Sequence, residues 1–213
     1  MDNHHQIMDQ KLSNKLKGLC KKIDENRSYR NTSYLINEYH KVVHKYLIGL
    51  PPRLIQASHL DYDTRYIWYK YHPNVCGNQT LDICVETHLW DDEEDQLVHP
   101  RTPEKVNNRI GFALSGNEYH GTTINLDALH TPVHHRSKGI TAPIVLSVLA
   151  DMKSVGMKWS IVKSDTTAWY NKLGYSLHKQ HGRFIDLNTV IDNVGNLLNH
   201  NISYFGQVLL LPS

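Results

Sequence analysis

No apolar run in this chain approaches the ~20 residues that a membrane-spanning helix needs. Its hydrophobic residues make up 40% of the whole and its charged residues 21%, a mixture that excludes both an integral helical membrane protein and a disordered chain. Cysteine is scarce: Cys20, Cys76 and Cys84 are the full set. An odd count at spacings that fit no zinc motif excludes a disulfide framework and predicts reduced thiols. Histidine is plentiful, at 15 residues, yet there is no His-Glu-x-x-His and no Cys/His cluster, so no metal site is expected. The net charge of +2 is too mild to draw nucleic acid by itself. The first residues lack the basic and apolar blocks of a secretory leader, which makes a cytoplasmic protein the expectation. Internal repeats and low-complexity tracts are also missing.

What is present, over 213 residues, suffices for one domain with a real core, or for one domain with an added N-terminal segment. Met8, Leu12, Leu16, Leu19, Cys20 and Ile23 recur at helical spacing, with Lys11, Lys15, Lys17, Lys21 and Lys22 on the other face. Such a lysine face suits an acidic partner, but is more commonly a helix face turned to water. Leu35, Ile36, Tyr39, Val42, Val43, Tyr46 and Leu47 predict a second helix, stopped by Gly49 and the Pro51-Pro52 pair. Strand patterning follows at 53–60, 64–72, 81–90, 109–115 and 122–130, and reads as an antiparallel meander. The acidic run Asp91–Asp95 between strands would attract a basic substrate or lie in a solvated loop. Near the end, Leu187, Val190, Ile191, Val194, Leu197 and Leu198 suggest a helix. The apolar tail from Tyr204 to Leu211 suggests an edge strand or a partner contact.

The stretch on which the reading turns runs from Ile124 to Tyr175. A strand leads into the turn 130–135 and then into Arg136-Ser137-Lys138-Gly139-Ile140-Thr141-Ala142. A helix carrying Ile144, Val145, Val148, Leu149, Met152 and Val155 comes next, with Pro143 tolerated in its first turn and Gly156 as its stop. The first amides of a helix have no internal acceptor and sit at the positive end of its dipole. Gly139 lets a ligand approach the backbone, and Arg136 and Lys138 add formal charge. These features suit a pyrophosphate. A short strand at 159–162 and a short helix at 168–175 complete the stretch.

In these residues the chain resembles the GNAT superfamily of acyl-CoA-dependent N-acetyltransferases. Arg136 to Thr141 stands where that family carries Arg/Gln-x-x-Gly-x-Gly/Ala. Trp169-Tyr170-Asn171-Lys172-Leu173-Gly174-Tyr175 stands where it carries a short aromatic-Tyr-x-Lys-x-Gly-Phe/Tyr helix. The resemblance covers roughly residues 109–180. It departs at Thr141, where the family prefers Gly or Ala, and in the order of the N-terminal elements. It implies an α/β (α+β) fold with a mixed, mostly antiparallel central sheet flanked by helices, here with extra N-terminal helices. Residues 1–30 would be a helical extension and 31–213 the acyltransferase domain.

The implied activity is transfer of an acetyl or other acyl group from acetyl-CoA to an amine of a small molecule or protein. The acceptor is unnamed, and whether a homodimer forms is open. Binding of acetyl-CoA would fall to Leu129, His130, Thr131, Arg136, Ser137, Lys138, Gly139, Ile140, Thr141 and Ala142. The strand ending at Leu129–Thr131 would splay from its neighbour, pair with pantetheine and offer the oxyanion donor. Tyr170 falls at the family's usual general-acid position, where a phenol protonates the leaving thiolate. For the base, Asp127 and His130 lie at the strand end. Three residues apart on a regular strand, they point to opposite faces, so only one would reach the site. His130 has the better intrinsic pKa, with His134 and His135 behind it. Competing with an enzyme are a non-catalytic module that binds a CoA-like ligand or a partner and, on thinner support, a nucleic-acid-modifying or binding protein.

Overall fold

A computed structural model describes residues 3–26, 29–58, 66–91, 96–97, 110–117, 120–133, 136, 141–163, 167–178, 182–187 and 207–210. The chain opens with helices α1 (Asn3–Glu25) and α2 (Tyr29–Gly49). Strands β1 (Arg53–Ser58), β2 (Tyr66–Pro73), β3 (Asp82–Asp91), β4 (Gln96–Leu97), β5 (Gly111–Gly116) and β6 (Thr123–His130) follow. Helix α3 (Thr141–Ser154) leads to β7 (Trp159–Val162), and helix α4 (Thr167–Lys172) to β8 (Ser176–His178), β9 (Gly182–Asp186) and β10 (Gln207–Leu210).

The strands form one sheet in the order β10-β1-β2-β3-β5-β6-β7-β9-β8, with β4 added on β3. Its neighbours are antiparallel except β6 and β7, the one parallel pair among the described residues. A parallel pair needs a crossover, and α3 supplies it. The expected mixed, mostly antiparallel sheet flanked by helices is therefore what the chain builds. The tail does add an edge strand, with β10 pairing β1 from Ser58↔Gln207 to Ile55↔Leu210. The suggested helix between Leu187 and Leu198 lies beyond the described residues after its first position, as do Asp92–Asp95.

One face of the sheet is apolar. Ile83 and Val85 of β3 stand in register with Leu114 and Phe112 of β5, and these with Leu126 and Leu129 of β6. Ile124 and Leu126 continue the row to Ser160 and Val162 of β7. All but Leu129 are buried, and Leu129 packs against the same core. Each such aliphatic side chain removed from water contributes roughly 1.5–3 kcal/mol. The helices cover this face. Tyr39, Val43 and Leu47 of α2 and Leu16 of α1 belong to its core, and the Tyr39 hydroxyl donates to the carbonyl of Val155 (2.9 Å).

Helix α3 is sunk more deeply than the stripe of apolar residues predicts, because Thr141, Ser147 and Asp151 are buried with it. Burying polar side chains costs unless each finds a partner, and here they do. Ser147 donates to the carbonyl of Pro143 (2.8 Å). Asp151 Oδ2 accepts from both the Tyr69 and the Tyr71 hydroxyls of β2, at 2.7 Å each. Gly156 ends the helix as expected: its φ of 96° is left-handed. The amides of Gly156 and Met157 return to the carbonyls of Lys153 and Met152, the paired closure that satisfies the last-turn acceptors.

Candidate functional site

The site is built where β6 outruns its parallel neighbour. The β6–β7 ladder begins at Thr123↔Trp159 and ends at Leu126↔Val162. On its other edge, β6 stays paired with β5 as far as His130↔Gly111. From Asp127 to His130, therefore, the β7-facing edge of β6 has no strand beside it among the described residues. Backbone N–H and C=O groups along such an edge are ready to pair with an extended ligand.

At the start of that open edge β6 carries a bulge. Leu126 stands opposite Leu114 and Ala128 opposite Ala113, so Asp127 is an extra residue without a Cα partner. A bulge changes the face on which every later side chain points. Leu129, three residues after Leu126, returns to the apolar face opposite Phe112. His130 falls opposite Gly111 on the other, polar face. Asp127 lies on that polar face too, since it follows the inward-facing Leu126 and is exposed. The expectation that Asp127 and His130 point to opposite faces is overturned: the bulge absorbs one residue of spacing and puts both on one side. The offset of three between Leu126 and Leu129 was the signal for this, since a regular strand repeats its apolar residues every second position.

The polar face also carries Asp82, Cys84 and Glu86 of β3, Ser115 of β5 and Asn125 of β6, by the same register. Glu86 accepts from His72 of β2 at 3.1 Å. Asn74 donates to Asp82 (2.8 Å). Partial burial pushes the Asp127 carboxyl above its ordinary range; the Ser115 hydrogen bond pulls it back, Asp82 pushes it up and Lys163 pulls it down. A carboxyl shifted that way is a stronger base than an ordinary aspartate.

The residues expected to grip a pyrophosphate divide into two groups. Ser137, Lys138, Gly139 and Ile140 lie outside the described residues, as do His134 and His135. Around them the structure draws the strand end and the helix start together. Thr131 and Thr141 share a hydroxyl–hydroxyl bond of 3.0 Å, and Arg136 Nε donates to the carbonyl of Thr131 (2.9 Å). Arg136 is exposed, whereas Thr141 and Ala142 are buried at the head of α3. Thr141, the departure from the Gly/Ala pattern, thus spends its hydroxyl on closing the loop.

Tyr170 sits on α4, which follows β7 and so leaves from the end of the strand beside the open edge. It is only 5% exposed, held edge-to-face between Trp169 (ring centroids 4.9 Å apart) and Tyr175 (5.5 Å). The Tyr175 hydroxyl shares a 2.8 Å bond with Ser160 on the apolar face, and its burial raises its pKa. Tyr170 therefore packs on the helix side of the sheet, while Asp127 and His130 stand on the opposite side. Reading the sequence missed Ser115, Asn125 and Asn117, which hydrogen-bond one another on the polar face only once β5 and β6 are in register.

No known family's sequence profile matches the chain, and no curated protein matches it in sequence. Among solved structures it is similar to a cAMP-binding acyltransferase from Mycobacterium smegmatis, with a TM-score of 0.40 and 8% identity over 78% of this chain. The chain spans 60% of the length of that neighbour. So distant a likeness carries no weight for activity. Among the described residues, no helix is long and apolar enough to cross a membrane, and no three His, Cys, Asp or Glu side chains group as a metal site.

Proposed function

We propose that the chain is an acyltransferase that takes an acetyl or similar acyl group from acetyl-CoA and passes it to an amine. The observation that carries this reading is the unpaired edge of β6 from Asp127 to His130, next to the N-terminal end of α3 and the base of α4. An extended pantetheine arm suits that edge, because it can exchange hydrogen bonds with the strand backbone as another strand would. The diphosphate then falls to the turn from Arg136 to Ile140 and to the first amides of α3, where unpaired N–H groups and the helix dipole favour an anion. Leu129, His130 and Thr131 supply the backbone along the arm, and Thr141 and Ala142 complete the turn.

On this reading the two faces of the sheet divide the proton transfers. The acceptor amine approaches on the polar face. Asp127 takes its proton as the nitrogen bonds to the thioester carbon, and His130 stands second for that role. A backbone N–H at the bulge donates to the oxygen as it gains charge. From the helix side, the Tyr170 phenol protonates the sulfur as the carbon–sulfur bond breaks. A proton from Asp127, relayed by water, then restores the phenol.

The test is thermal. Acetyl-CoA at a hundred times its Kd raises the unfolding free energy by about 2.7 kcal/mol, which a melting scan detects. Arg136→Glu puts a like charge beside the diphosphate and abolishes that shift without lowering the melting temperature of the free protein. A wild-type protein that acetyl-CoA leaves unmoved overturns the reading. Binding without thiol release in any amine's presence leaves a CoA-binding module instead.

A further inference from the structure

Strand β7 is short, and a lysine lies just outside each end of it. Lys158, before the strand, is tied down: its Nζ donates to both carboxylate oxygens of Asp24 on α1, at 2.8 and 2.7 Å. Lys163, after the strand, is exposed, and among the described residues no ion pair holds it. Its place follows from the strand register. Val162 is the last residue of β7 and pairs with Leu126 of β6. Lys163 is the next residue on one strand and Asp127 the next on the other, so the two stand side by side where the strands part. Along β7 the buried Ser160 and Val162 alternate with the more exposed Trp159 and Ile161. Continued by one residue, that alternation turns Lys163 to the polar face, where Asp127 also lies. Exposure changes at the same point on β6: Thr123, Ile124 and Leu126 are buried, whereas Asp127, Ala128 and His130 are exposed.

We infer that Lys163 is itself an acyl acceptor, taking the acetyl group from acetyl-CoA bound to the same chain and becoming Nε-acetyl-lysine. The inference rests on the acyltransferase reading and names one amine that this reading supplies. A pantetheine arm paired with the open edge of β6 takes the place that β7 vacates. With the diphosphate at the turn after His130, the arm runs back along the edge and brings its thioester to Asp127, in line with the end of β7. The lysine stem is flexible and ends in an amine. Held beside the thioester, that amine reacts far faster than one arriving from solution. The Lys163 ammonium gives a proton to Asp127, whose pKa already feels the lysine's charge. The freed nitrogen bonds to the thioester carbon, the carbon–sulfur bond breaks and coenzyme A leaves. Of the two protons the nitrogen gives up, one ends on the departing sulfur and the other in solvent. The product carries no charge, so each chain performs the step once and loses a cation beside Asp127.

The experiment incubates the full chain with acetyl-CoA and no added amine. Thiol release is followed by absorbance, and acetylated lysines are located by peptide mass spectrometry over time. Release is expected to stop at one equivalent per chain, at a rate per chain that does not change with protein concentration. Lys163 is expected to gain its acetyl group about a hundredfold faster than Lys11, Lys15, Lys17 and Lys21, exposed lysines of α1 that report purely chemical acetylation. In Arg136→Glu that advantage disappears. Lys163→Arg keeps the charge and the acetyl-CoA melting shift but loses the thiol release. The inference is overturned if acetyl-CoA stabilises wild type while Lys163 reacts no faster than the α1 lysines. A rate that climbs with protein concentration, or release undiminished in Lys163→Arg, also overturns it. Absence of any acetyl-CoA stabilisation in wild type is the separate outcome that removes the acyltransferase reading, and this inference with it.

Discussion

On the helix side of the sheet, β3, β5 and β6 present Ile83, Val85, Leu114, Phe112 and Leu126, all buried. On the other side the same strands present Asp82, Cys84, Glu86, Ser115, Asn125 and Asp127. The backbone ladder is common to both, so the difference lies entirely in what side-chain alternation delivers to each face. The first face is where burial stabilises the fold. The second gathers polar groups that bond one another, as in His72–Glu86, Asn74–Asp82 and Asn125–Ser115, and partial burial there raises the pKa of Asp127. Side chains that alternate along a single strand are thus sorted into a stabilising face and a polar one, and on the proposed reading Asp127 acts from the second while Tyr170 reaches in from the first.

The separation can be broken from either side. Leu114→Ala should have the largest effect. Deleting a side chain buried at the centre of the helix-covered face costs about 3 kcal/mol of unfolding free energy, read as a lower denaturant midpoint, while acetyl-CoA binding by the folded fraction persists. Asp127→Asn should do the reverse. Turnover falls by about a hundredfold, yet the melting temperature at neutral pH does not fall. The sign follows from the raised pKa. A carboxyl that folding makes harder to ionise contributes its stability below the unfolded pKa and loses it as pH rises through the folded one. At neutral pH the charge is a cost, which an amide of the same shape removes. The acidic limb of the wild-type rate profile, rising as Asp127 deprotonates, should vanish in the same variant. Tyr170→Phe is expected to give the smallest change, a loss of about tenfold in kcat with the acetyl-CoA melting shift retained. A variant of either face that lowered stability and turnover together would blur the division.

Much of this was legible in the residues. The two N-terminal helices, the meander, the crossover helix with its Gly156 stop and the strand at 159–162 all follow from apolar spacing and from glycine and proline at their ends. That spacing survives into the structure because it is the same pattern the core uses. The depth of α3 was not legible, because burial of Thr141, Ser147 and Asp151 depends on partners such as Tyr69 and Tyr71, some eighty residues away in sequence. The common facing of Asp127 and His130 was hidden by the assumption of a regular strand, although the Leu126–Leu129 offset marks the bulge. Ser115 and Asn125 carry no motif at all. They meet through cross-strand register, which a single strand's pattern does not encode.

The odd residue out in β6 has a consequence for how this protein could fail. Leu126 already faces Leu114, and Ala128 already faces Ala113, so a chain lacking Asp127 would zip into an uninterrupted ladder with every later neighbour preserved. On the proposed reading, its absence would leave a regular ladder without the favoured proton acceptor. A chain short by that residue should therefore fold without exposing new apolar surface, and on the proposed reading acyl transfer should be weakened in an otherwise intact molecule.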